Sequence, residues 1–233
     1  MDEPSSSQGI AILGMHRSGT SMMAGTLRAA GLYFGDVYDA VSTRNARGLH
    51  EPLSILFMHE DILVKNRGSW HEPPKMPEWK PLHRAVRDLF IESRQSHKRW
   101  AFKDPRTLLV IDGWLDALPN LDMVGIFRHP AEVAFSIRDR NNFELEKNFK
   151  AWCVYNAKLL ELVRERKIPL IEFVRDKVKM RESFERLFAK LDIEMTPEAN
   201  AFFEPDLRRF ETPDIPLSED ALQIYSDLKD HIL

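Results

Sequence analysis

The chain has 233 residues, 43% of them hydrophobic, which is enough for one sizeable core and one α/β domain and argues against a second full domain. Its 33 lysines and arginines are outnumbered by 36 aspartates and glutamates. The formal charge of −3 excludes a global positive field for nucleic acid or an anionic membrane, so any anion site must be local.

The lone Cys153, inside an apolar helical run, excludes an internal disulfide framework and argues against a zinc cluster. No run reaches the ~18 consecutive apolar residues of a membrane span. Residues 1–8 are polar and acidic and read as a disordered leader. With no signal-peptide pattern, the expected location is cytoplasmic. Residues 9–233 read as one domain.

Residues 10–13 predict a buried strand, residues 14–21 a glycine-bounded turn, and the following run a helix to about Ala30, with Gly31 as its cap. Such a strand-turn-helix converges backbone N–H groups on one point where an anion can sit. Gly14, Gly19, Thr20 and Ser21 fit the phosphate-loop spacing at every position but one. Thr20 stands where a kinase or ATPase carries lysine, and the nearest cation is Arg17.

Residues 31–35 read as a second strand or a short connector, followed by a polar segment over 36–48. Glu51 and Pro52 then open a helix over 53–63. A loop over 68–81 is broken by four prolines and contains Trp70 and Trp79, which either pin it to the core or form an aromatic lid. A helix over 82–95 has Leu82, Ala85, Val86, Leu89 and Phe90 on its apolar face. A strand over 100–102 ends in the charged turn Lys103 to Thr107.

A helix over 108–118 leads to a strand over 122–127, which ends at Arg128 with a helix starting near Pro130 and Ser136 on it. Then come a helix over 149–166, a strand over 168–174, a helix over 180–191 and a short helix over 221–228. Arg208 and Arg209 sit in the tail between the last two. Strands alternating with helices at this spacing predict a three-layer parallel sheet with helices on both faces, like the P-loop nucleoside triphosphate hydrolases. Three strand ends carry cations, Arg17, Lys103 and Arg128, which suits a ligand with several separated anionic groups.

At these residues the chain resembles the sulfotransferases that use 3′-phosphoadenosine 5′-phosphosulfate (PAPS). Their loop runs Lys/Arg-Ser-Gly-Thr-Ser/Thr, as at Arg17 to Ser21, and their second signature is a strand-end arginine with a serine eight residues on, as at Arg128 and Ser136. Lys103-Asp-Pro-Arg106 is similar to bacterial and tyrosylprotein-type members and unlike the cytosolic small-molecule type, which has a catalytic histidine where this chain has Pro105. The resemblance implies in-line sulfuryl transfer to an acceptor hydroxyl (carbohydrate, lipid-linked or another alcohol), releasing adenosine 3′,5′-bisphosphate without a required metal.

It implies Glu51 as general base, with His50, His59 and Asp104 as alternatives. Arg17 and Lys103 neutralise charge, Ser18, Gly19, Thr20 and Ser21 hold the 5′-phosphate, and Arg128 and Ser136 hold the 3′-phosphate. Arg106 is open between ligand binding and an ion pair with Asp104 or Asp112, and Trp70 is a candidate for holding adenine. Two other readings stand beside this one: a small-molecule kinase with a degenerate loop, which Thr20 argues against, and a nucleotide-binding module without turnover.

Overall fold

β1 (Gln8–Leu13) is an unbroken buried run from Gly9, and its successive side chains point alternately into two cores. Ala11 and Leu13 face one, Ile10 and Ile12 the other. The same division runs through β2 (Arg99–Lys103), where Trp100 and Phe102 oppose Ala101, and β3 (Asp122–Phe127), where Met123 and Phe127 oppose Val124 and Ile126. With the short β4 (Leu170–Glu172) these strands form a parallel sheet in the order β2-β1-β3-β4. A sheet buried on both faces needs a helical layer on each, which is the three-layer architecture expected from the sequence. The computed structural model describes residues 7–39, 48–203 and 212–233.

The core of Ile10 and Ile12 is covered by α1 (Thr20–Ala29), α7 (Lys177–Lys190) and α8 (Pro197–Phe203). The opposite core is covered by α2 (Leu53–Lys65), α3 (Pro81–Glu92), α4 (Ile111–Ala117), α5 (Pro130–Asn141), α6 (Leu145–Arg166) and α9 (Glu219–Lys229). From β1 the chain moves outward to β2, then returns past β1 to β3 and β4. The carboxyl ends of β1 and β3 are therefore a topological switch point, where connections leave in opposite directions and open a crevice. Among the described residues no helix is long and apolar enough to cross a membrane.

Several local expectations shift. Ser7 and Gln8 belong to the fold: Ser7 Oγ donates to the His97 carbonyl at 2.8 Å and Gln8 opens β1, while residues 1–6 lie outside the described residues. Residues 31–35 are a connector with a single bridge from Tyr33 to Trp100. The helix expected from residue 108 starts as a 3₁₀ turn, Pro105–Val110, because the Asp104 side chain caps it by accepting from the Arg106 N–H at 2.9 Å. α6 begins at Leu145, ahead of the expected 149, and its buried Asn148 donates to the Ala134 carbonyl at 2.9 Å.

The expected face of α3 is right at Phe90 and Val86, which pack in the core, and wrong at its leucines. Leu82 and Leu89 are 70% and 65% exposed, and His83, Arg87 and Phe90 are the buried positions. Specific polar partners turn the helix: His83 Nδ1 accepts from the Lys80 N–H at 3.0 Å, its Nε2 lies 2.9 Å from Asp61 on α2, and Arg87 donates to the Gly113 carbonyl. Those bonds satisfy groups whose burial would otherwise be costly, and they outweigh two leucines left in water.

Candidate active site

The β1 exit is held in a conformation that only its glycines and one strained residue permit. Arg17 has φ 69° and Gly19 φ 95°, and the Ser18 N–H closes the turn on the Met15 carbonyl at 3.2 Å. Of the four N–H groups assigned to an anion, that of Ser18 is thus already committed. Those of Gly19, Thr20 and Ser21 lie at the N-cap and first turn of α1, where no intrahelical acceptor exists, and remain suited to an anion. Ser18 Oγ is buried without a partner beside them. A Cβ on Gly19 would meet the Phe173 ring at 2.5 Å. Gly19→Ala should therefore cost about 1–3 kcal/mol in thermal unfolding, from left-handed strain and this collision together.

At the β2 exit, Lys103 is fully buried and its Nζ lies 2.6 Å from Glu51 Oε1 and 3.4 Å from Ser21 Oγ. Register sets this arrangement: Lys103 pairs with Ile12, so it stands beside the start of the phosphate loop. Glu51 is itself buried, just ahead of Pro52 at the N-cap of α2. Burial pushes its carboxyl pKa up, and the Lys103 charge opposes that rise. Burial pushes the Lys103 pKa down, opposed by Glu51. The two groups the sequence chose 52 positions apart are direct partners.

The alternative bases are engaged elsewhere. Trp114 Nε1 donates to His59 Nε2 at 2.9 Å, so the His59 ring proton sits on Nδ1, 3.2 Å from Asp104 Oδ2. All of that chain is buried. The other Asp104 oxygen accepts from Arg106 Nη1 at 3.0 Å. Burial raises the Asp104 pKa, but the Arg106 charge and the His59 bond together hold it well below the usual carboxylate range. His50 Nδ1 lies 2.9 Å from Asp39 Oδ1, and its ring meets Phe202 edge-on. Arg106 pairs with Asp104 and, at 2.6 Å, with Glu60, whereas Asp112 goes to Lys158.

The third cation stands across the crevice. Arg128 donates from Nη1 to the Arg17 carbonyl at 3.3 Å and from Nε to Glu132 at 2.7 Å. Burial lowers its pKa and Glu132 opposes the fall. Arg17 Nε donates to Ser136 Oγ at 2.9 Å. Arg17, Arg128 and Ser136 thus form one connected corner, while Lys103 and Glu51 lie on the β2 side of the loop. The sequence did not single out Glu132 or Phe173, which complete that corner. The available signal was position, since both sit just past the exit of a strand.

The loop over 68–81 is fastened and is not a free lid. Trp79 packs over Gly113 and donates to the Val110 carbonyl at 3.2 Å, Tyr155 Oη donates to the Trp70 carbonyl at 3.0 Å, and His71 Nε2 lies 2.8 Å from Asn148 Oδ1. Trp70 nevertheless reaches the phosphate loop, its ring 4.5 Å from His16. Burial, then the Arg106 charge, holds His16 neutral, well below the ordinary histidine pKa. Residues 40–47 of the polar segment over 36–48, with Arg208 and Arg209, lie outside the described residues.

No protein-family model and no curated protein sequence matches the chain. Among solved structures it is similar to a sulfotransferase domain from the curacin biosynthetic pathway, at 15% identity and TM-score 0.61, covering 96% of this chain and 98% of that one. It is likewise similar to a sulfotransferase domain from the Synechococcus PCC 7002 olefin synthase, at 14% identity and TM-score 0.61, covering 98% and 97%. At these identities the likeness is one of fold: this α/β chain shares its parallel sheet and helical layers with those domains.

Proposed function

We propose that this chain is a sulfotransferase, moving a sulfuryl group from PAPS to an acceptor hydroxyl. The observation that carries the reading is the buried Lys103–Glu51 pair, 2.6 Å apart and 3.4 Å from Ser21 at the loop mouth. A base and a cation are thereby held side by side where a loop-bound anion would meet an alcohol. The residues fit such a donor. Gly19, Thr20 and Ser21 present N–H groups to a 5′-phosphate, and Ser18 has a buried hydroxyl without a partner. Arg128 and Ser136, in the corner joined to Arg17, suit a 3′-phosphate.

In the reaction Glu51 takes the proton of the acceptor's hydroxyl while that hydroxyl's oxygen forms the new O–S bond. The S–O bond to the 5′-phosphate breaks, and Lys103 and Arg17 offset the charge on the departing oxygen. Fixed cations are worth more here than in water, because Lys103 is fully buried. PAPS supplies the activated sulfuryl group. The acceptor is an alcohol, and the surface expected to choose it comprises the segments over 36–48 and 68–81.

Calorimetry with adenosine 3′,5′-bisphosphate tests the donor site, and a labelled-PAPS transfer assay over mixed hydroxylated acceptors tests the reaction. Failure to bind the bisphosphate sinks the reading. Magnesium-dependent ATP binding in its place would favour a kinase. Arg128→Ala should weaken bisphosphate binding by ~10- to 100-fold, the loss of one or two charge-assisted hydrogen bonds.

A further inference from the structure

The exit of β4 supplies a cation that the phosphate corner has not yet used. Phe173 continues β4 toward β3, its N–H donating to the Phe127 carbonyl at 2.7 Å, and its ring lies 4.8 Å from the Arg128 guanidinium and close against Gly19. Two residues on, Arg175 Nη2 lies 3.1 Å from Glu132 Oε1. Glu132 is almost fully buried, on the first turn of α5. Its other oxygen meets Arg128, and Thr212 Oγ1 donates to Oε1 at 2.6 Å. One carboxylate is thus gripped by two arginines and a hydroxyl, the donor set that an anionic oxygen group attracts.

We propose that Arg175 is a third ligand for the 3′-phosphate, beside Arg128 and Ser136, with Glu132 holding the two arginines oriented until the phosphate arrives. This rests on the PAPS reading above. Charge balance supports it. Arg128 and Glu132 cancel one another, so Arg175 adds to Arg17 a second positive charge on this side of the crevice. Donor accounting supports it too: Arg175 Nε is shut from solvent with no acceptor, although a guanidinium has five N–H groups to satisfy. A mere surface ion pair would leave that N–H in water. A phosphate brings three further acceptor oxygens and a second negative charge, which Glu132 by itself does not supply.

The test compares adenosine 3′,5′-bisphosphate with adenosine 5′-monophosphate in calorimetry, because the two differ only in the 3′-phosphate. In Arg175→Ala, bisphosphate affinity should fall by ~10-fold while monophosphate affinity stays unchanged, and Arg175→Lys should recover part of the loss. Monophosphate binding also reports that the variant is folded. Equal changes for both nucleotides, or none for either, overturn the assignment of Arg175 and leave the sulfotransferase reading standing. Wild-type protein that prefers neither nucleotide overturns both.

Discussion

Lys103→Met should destabilise the fold by about 3–5 kcal/mol, the effect of stripping one partner from a buried ion pair. Lys103 is fully buried and Glu51 nearly so, at a separation of 2.6 Å. Removing the ammonium strands a carboxylate whose pKa is already raised by burial and whose largest opposing influence is Lys103 itself. The sign of the pH dependence follows. Glu51 in the variant binds its proton more tightly folded than unfolded, so stability should fall as pH rises from the ordinary glutamate value to the raised one, then level off. Denaturant unfolding across that window measures it. The double variant Lys103→Met, Glu51→Leu removes both charges and should regain most of the stability while remaining inactive. A double variant no more stable than the single one would show that the pair is not what the fold depends on.

Glu51→Gln is expected to lower kcat by ~10²-fold or more and leave bisphosphate affinity nearly unchanged. Glutamine keeps the size and an acceptor for Lys103 but cannot take a proton from an alcohol. If the chain is the proposed sulfotransferase, the wild-type protein should carry an acid limb in its pH–rate profile above the ordinary carboxylate value, since the Glu51 pKa is raised by burial. A base works deprotonated, so activity should fall as pH drops through that raised value, and the limb should vanish in Glu51→Gln. Equal losses in binding and turnover would instead mark Glu51 as a structural partner of Lys103.

Both expectations concern residues visible in the sequence, but their pairing was not. Glu51 and Lys103 were chosen separately, one as a carboxylate before a helix and the other as a cation at a strand end. The register of β2 on β1 sets Lys103 beside Ile12 with Ser21 within reach, and the Tyr38 N–H bond to the Glu51 carbonyl at 2.7 Å helps fix Glu51 opposite it. His59 and Asp104, candidate bases by residue type, have Trp114 and Arg106 on the polar atoms that do not face one another, which residue type alone could not show.

Local chemistry by itself determined the strand-turn-helix around Arg17, the extent of β3, and the layered α/β class. Those features arise from near neighbours: glycines that allow positive φ, orphan N–H groups at a helix start, and short unbroken apolar runs that suit strands buried on both faces. The tertiary structure decided what depends on distant partners. Polar bonds to α2 and to Gly113 set the buried face of α3 against its leucine pattern. Strand order decided that the β1 and β3 exits share a crevice, which joins Arg17 to Ser136 and Arg128 to the Arg17 carbonyl. It also carried the β4 exit, with Phe173 and Arg175, to the same corner. Periodicity cannot encode such meetings, because a side chain's partner across a sheet is fixed by the order and register of strands far apart in the chain.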